Sequence, residues 1–131
     1  MNIVDSSGWL EYFSGGPNSD QFAIPFQEPE SLIVPVITIY EVFKVVLRES
    51  SENEALQVVA AMQKGTVIDL TTSIAMNASK LSLQYRIPMA DSIILSTAQS
   101  YECLIWTQDS DFENLPDVKF FPKIEVGATS A

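Results

Sequence analysis

Asp5 closes a short apolar run, Met1 to Val4, and Asp109 follows another, Cys103 to Trp106. Runs of this kind read as strands. In an open parallel sheet, ligands bind beyond the carboxyl ends of the strands. If the two strands are neighbours, the carboxylates of Asp5 and Asp109 converge. Each also has a plainer reading: Asp5 as a turn or helix-cap residue, and Asp109 as an acid of the polar turn Thr107 to Asp111. Asp91 shares a helix face with Ile94, Leu95 and Ala98, where a carboxylate is costly unless paired, hydrogen-bonded or metal-bound. Its plainer reading is a first-turn acid favoured by the helix dipole after Pro88. Glu41 interrupts the apolar stretch Ile37 to Phe43, with Lys44 and Arg48 following at i+3 and i+7. It either pairs with Lys44 along the helix or points into a site, with Lys44 and Arg48 leading phosphates toward it.

Composition narrows the chemistry further. The 131 residues contain no histidine and one cysteine, Cys103. This excludes Ser-His-Asp and Cys-His catalysis, histidine- or cysteine-ligated zinc, a CxxC pair and an internal disulfide. Acids outnumber bases 17 to 7, for a formal net charge of −10. A protein that coats nucleic acid would be basic, so any nucleic-acid contact here is local or metal-assisted. Several carboxylates sharing a site repel one another into protonation unless a cation compensates. Mg²⁺ and Mn²⁺ are such cations, and two of them roughly 3.5–4 Å apart can activate water and stabilise the leaving oxygen of a phosphodiester.

The elements that must place these acids read as alternating strands and helices. Met1–Val4 is a first strand. Ser6 or Ser7 caps a short helix through Phe13, stopped by Gly15, Gly16 and Pro17, and Asn18 to Phe26 forms a second. Gln27 to Ser31 is a loop and Leu32 to Val34 a strand. Ile37 to Glu49 is a helix. Ser51-Glu52-Asn53-Glu54 is a capping box opening a helix through Gln63. Thr66 to Leu70 is a third strand, Thr71 or Thr72 caps a helix to about Arg86, and Pro88 starts the next, which runs to about Tyr101. Cys103 to Trp106 reads as a buried parallel strand, Thr107 to Pro116 as a polar loop, Val118 to Phe121 as an edge strand, and the tail after Gly127 as frayed. Together they predict one α/β domain with a mostly parallel sheet covered on both faces. No leader is visible, and the apolar stretch from Leu32 to Tyr40 is too short to span a bilayer. The expectation is a soluble cytoplasmic domain.

Four segments, in order, then carry a resemblance: Val4-Asp5-Ser6-Ser7-Gly8-Trp9, Ile39-Tyr40-Glu41-Val42-Phe43-Lys44, Ile87-Pro88-Met89-Ala90-Asp91-Ser92-Ile93-Ile94 and Ile105-Trp106-Thr107-Gln108-Asp109-Ser110-Asp111-Phe112. The sequence resembles PIN-domain ribonucleases, in particular the VapC toxins of type II toxin–antitoxin systems, over essentially its whole length. The resemblance implies a three-layer α/β/α fold with a central parallel sheet, and Mg²⁺- or Mn²⁺-dependent endoribonuclease activity. It makes Asp5, Glu41, Asp91 and Asp109 the acidic quartet. Asp5, Asp91 and Asp109 would hold the metal, Glu41 would orient the attacking water or help a second ion, and Asp111 is a further candidate. Ser7 and Thr107 match hydroxyls that hydrogen-bond the carboxylates, and Lys44 and Arg48 have the best claim to RNA contact. Gln108 is a departure, standing where many relatives carry Arg or Asn. The resemblance also implies a cognate antitoxin and a homodimer.

Two other function classes stay open from sequence. One is a receiver-like signalling domain with Asp69 as phosphoacceptor, against which stands the lone Asp5 where an acid pair is expected. The other is a non-catalytic binding module on the same scaffold. The aromatic residues Trp9, Tyr12, Phe13, Phe22 and Phe26 are read mainly as core, with some lining a partner groove.

Overall fold

The computed structural model describes residues 1–125, so the expected fraying after Gly127 lies outside the described residues. The elements are β1 (Asn2–Val4), α1 (Ser6–Ser14), α2 (Ser19–Phe26), β2 (Ile33–Pro35), α3 (Val36–Glu49), α4 (Glu52–Met62), β3 (Thr66–Ile68), α5 (Thr72–Tyr85), α6 (Met89–Tyr101), β4 (Leu104–Thr107) and β5 (Val118–Phe120). Single 3-10 turns at Pro29–Ser31 and Ser110–Phe112 lie inside the two stretches expected to be loops.

Every strand pairing is parallel. β1 lies against β4 with Ile3 opposite Ile105, and β4 against β5 with Trp106 opposite Lys119. β2 pairs with β3, Val34 opposite Val67. A single parallel bridge, Asn2 to Leu32, joins the two halves, so the order across the sheet is β3-β2-β1-β4-β5. The expected central parallel sheet is present, with β1 and β4 adjacent as convergence of Asp5 and Asp109 requires.

Alternation along the strands builds the layers. Ile3 and Ile105 face one side, against Ile94 and Leu95 of α6 and Leu81 of α5. Val4 and Trp106 face the other, against Trp9 of α1, Phe22 of α2, Val42 of α3 and Met62 of α4. The result is a three-layer α/β/α domain. Trp9 and Phe22 are core, and Trp9 stacks on Phe26 with ring centroids 4.1 Å apart, while Tyr12 is exposed. Among the described residues no helix is long and apolar enough to cross a membrane.

Two local features set the first turn of α1, where the site begins. The cap is Asp5 rather than Ser6 or Ser7, because only Asp5 has extended backbone (ψ 174°) with a side chain free to accept from Gly8 N–H. Gly8 lets the helix press on the sheet: a Cβ there would meet Val4 Cγ1 at 2.6 Å and Phe22 at 2.8 Å. Gly15 then stops the helix in the left-handed conformation, at φ 67°.

Candidate metal centre

The acids gather beyond the carboxyl ends of β1 and β4. Asp5 follows β1 and is tied to β4 by its own N–H, which donates to Trp106 C=O at 3.1 Å. Its side chain is buried and fully engaged. Oδ1 accepts from Ser7 Oγ at 2.8 Å and Gly8 N–H at 3.0 Å, and Oδ2 accepts from Thr107 Oγ1 at 2.8 Å. Burial still pushes its pKa up, to about 6, although all three donors pull it down; the charge of Asp109 adds to the rise.

Asp91 stands in the first turn of α6, buried on the apolar face the sequence indicated. Its environment is the reverse of that around Asp5. Among the described residues no protein N–H or O–H donates to it, and its polar neighbours are carboxyls. Burial first, then the charge of Asp109, then contact with and charge from Asp111 raise its pKa to about 8. One oxygen each of Asp91, Asp109 and Asp111 lie within 4.8 Å of one another. That is close to the roughly 4 Å between ligands on opposite sides of a Mg²⁺ ion.

Asp109 and Asp111 are placed by the end of β4. Thr107 Oγ1 accepts from Asp109 N–H at 2.9 Å, and Asp109 Oδ1 accepts from Asp111 N–H at 2.9 Å, capping the 3-10 turn. Thr107 therefore touches both Asp5 and Asp109. Ser7 receives Gln108 N–H at 3.2 Å while donating to Asp5.

Glu41 enters from α3, half-buried. Ser6 Oγ donates to Glu41 Oε1 at 2.9 Å. Burial and the charge of Asp109 raise its pKa, and the Ser6 hydrogen bond opposes them. The Glu41–Lys44 ion pair weighed from sequence is not formed. Lys44 Nζ lies over the Tyr40 ring instead, 5.6 Å from its centroid. Arg48 is exposed and pairs with Glu49 at 3.1 Å. Asp69 is exposed at the end of β3, the edge strand farthest from β4, and so stands apart from the other acids.

Sequence reading missed three contributors. Ser6 reads from sequence only as a cap, though its position beside Asp5 is a usable signal. Asn18 is buried and donates through Nδ2 to Gln108 Oε1 at 3.1 Å and to Pro122 C=O at 3.0 Å. Glu11 accepts Asn18 N–H at 2.7 Å and Gln108 Nε2 at 3.3 Å. Gln108, the departure noted in the sequence, thus closes a network behind Asp109. Nothing in the sequence around Asn18 or Glu11 announced this.

A carboxylate set of this kind suits a hard divalent cation, and the donors fit one: oxygen ligands, excess negative charge, and an acid with no donor of its own.

The PIN domain family model matches residues 3–118. No curated protein matches the chain. Among solved structures, a toxin–antitoxin complex from Klebsiella pneumoniae is similar, with TM-score 0.80 and 25% identity over 95% of this chain and 100% of that one. VapC20 of Mycobacterium tuberculosis, described as a sarcin-ricin loop cleaving toxin, has TM-score 0.78 and 14% identity, covering 93% and 100%. FitAcB of Neisseria gonorrhoeae has TM-score 0.73 and 18% identity, covering 93% and 98%. This chain belongs to the PIN-domain family and is VapC-like in its fold.

Proposed function

We propose that the protein is the toxin of a toxin–antitoxin pair and a divalent-metal-dependent endoribonuclease. The observation that carries this reading is the cluster of Asp91, Asp109 and Asp111 beside the fully hydrogen-bonded Asp5. Asp91 and Asp109 hold the metal, with Asp111 completing the set and Asp5 acting directly or through water. A bound Mg²⁺ or Mn²⁺ would neutralise the carboxylates, activate a water and stabilise the leaving oxygen of the phosphodiester. Ser7 and Thr107 fix the rotamer of Asp5, and Thr107 fixes the loop that presents Asp109. Glu41, held by Ser6, would orient the attacking water and accept its proton. Lys44 carries no carboxylate partner among the described residues and is free for a phosphate; Arg48 shares its charge with Glu49.

The antitoxin partner is supported by the similar structures, one of which is described as a toxin–antitoxin complex and two as VapBC bound to DNA. A net charge of −10 would steer a basic antitoxin segment toward the chain. A homodimer acting in the cytoplasm belongs to the same reading.

The test is incubation of the purified protein with end-labelled total RNA, with Mg²⁺ or Mn²⁺, with EDTA, and beside Asp5→Asn. Metal-dependent cleavage, lost in both controls, is expected. Full cleavage by Asp5→Asn contradicts the site assignment. No cleavage by folded, antitoxin-free protein favours the binding-module alternative.

A further inference from the structure

Gln108 lies between Thr107, which donates to Asp5, and Asp109. A glutamine in a polar turn after a strand is ordinarily exposed. This one is 8% exposed. α1 holds it twice, from residues one turn apart on the same face. Ser7 Oγ accepts its backbone N–H at 3.2 Å, and Glu11 Oε1 accepts its Nε2 at 3.3 Å. Gly16 makes room for the Glu11 carboxylate, since a Cβ at that position would collide with it.

Asn18 holds the other end of the Gln108 amide. It is the N-cap of α2, where an asparagine side chain ordinarily accepts from the helix's own first turn. Here it makes no such bond. Nδ2 donates instead to Gln108 Oε1 at 3.1 Å and to Pro122 C=O at 3.0 Å, while Asn18 N–H donates to Glu11 Oε2 at 2.7 Å. Pro122 C=O and the ionised Glu11 carboxylate can only accept, so they fix which way both amides face. A helix cap is given up to brace one residue of the loop after β4. The brace draws together α1, the turn that follows it and the chain beyond β5.

We infer that Gln108, clamped by Asn18 and Glu11, is a positioning residue for the acid cluster: it sets the backbone from which Ser7 is held against Asp5 and from which Asp109 and Asp111 reach Asp91. This rests on the metal-dependent nuclease reading for its purpose, while the clamp is a separate claim about the loop. Without the clamp the loop opens more readily, and the carboxyls gather less often at the spacing a cation needs. Metal affinity and turnover therefore depend on three side chains that carry none of the metal-binding carboxyls.

The test compares three variants with wild type. Asn18→Asp keeps the shape but turns an acceptor toward two acceptors, and Gln108→Met keeps the bulk but drops both amide bonds. Val67→Ala, on the far edge strand β3, supplies a destabilisation away from the loop. In metal-free protein, amide hydrogen exchange at 108–111 should quicken about 3- to 10-fold in both clamp variants, one hydrogen bond's worth, beyond any change in the α5 amides. Calorimetry should show Mn²⁺ affinity lowered about 10- to 100-fold. At saturating Mn²⁺, kcat for RNA cleavage should fall with KM unchanged. Val67→Ala should lower the melting temperature and leave the relative exchange, the affinity and kcat at wild-type values. Unchanged exchange at 108–111 and unchanged Mn²⁺ affinity in both clamp variants overturn the inference. So does a loss that Val67→Ala reproduces. A wild type that binds no Mn²⁺ and cleaves no RNA removes the nuclease reading instead. The exchange rates then still decide the clamp, faster at 108–111 in its favour and unchanged against it.

Discussion

Asp5 and Asp91 are both buried carboxylates at the same end of the sheet, yet the molecule treats them in opposite ways. Around Asp5, the start of α1 and the end of β4 supply three donors within 3.0 Å. Around Asp91, the first turn of α6 supplies none, and β4's loop brings two further carboxyls instead. Burial raises both pKa values, to about 6 for Asp5 and about 8 for Asp91, but only Asp91 owes a large further part of its rise to like charge. The first region is fixed in place by protein donors before any ligand arrives. The second is relieved only by protons or by a cation. The two acids thus differ in what holds them: hydrogen bonds from α1 and β4 position Asp5, whereas Asp91 is held among carboxyls that a cation would relieve.

The largest effects should come from neutralising these acids. Asp91→Asn and Asp109→Asn should each lower RNA cleavage by about 10³-fold or more, several kcal/mol of barrier. Their effects on stability should separate the two regions. Asp91→Asn removes a like charge, and the metal-free protein should melt about 3 °C or more higher at pH 8. Asp5→Asn turns an amide N–H₂ toward donors and should cost about 1–3 kcal/mol in denaturant titration. A destabilised Asp91→Asn would break the comparison.

Next comes pH. Both groups bind protons more tightly folded than unfolded, so their contribution is fully present below about pH 4 and is lost as pH rises through about 6 and about 8. The metal-free melting temperature should fall across that window. Mg²⁺ or Mn²⁺ should restore it at pH 8 in wild type but not in Asp91→Asn. A melting temperature that rises with pH over this range would contradict the assignment.

Smaller effects sharpen the Asp5 side. Thr107→Val removes a donor to Asp5 and an acceptor for Asp109 N–H; about 1–3 kcal/mol of stability should go, with activity falling further than stability explains. Ser6→Ala frees Glu41 at little structural cost. Cleavage should drop roughly 3- to 10-fold, about one hydrogen bond's worth, with Ser6→Thr retaining it.

The convergence of Asp5 and Asp109 was legible because a carboxylate after a strand has few places to go once the strands are parallel neighbours. Asp91 was legible because a charge on an apolar helix face needs a reason. The standing of Asp111 was not: its carboxyl reaches Asp91 only because Asp109 caps a 3-10 turn, and that turn lies in what read as a plain polar loop. Nor was the partner of Glu41: helical spacing offered Lys44 as one of two readings, and long-range packing supplies Ser6. Sheet order, and the network through Asn18 and Gln108, depend on contacts about a hundred residues apart that no local pattern encodes.

The most direct measurement is calorimetric titration of the metal-free protein with Mn²⁺ near pH 7, in buffers of different ionisation enthalpy, for wild type, Asp91→Asn and Asp109→Asn. Burial and the neighbouring carboxyls push Asp91 up to about 8, so the cluster should release a proton when wild type binds Mn²⁺, and both variants should lose the site. Binding that releases no proton and survives both substitutions would contradict the account.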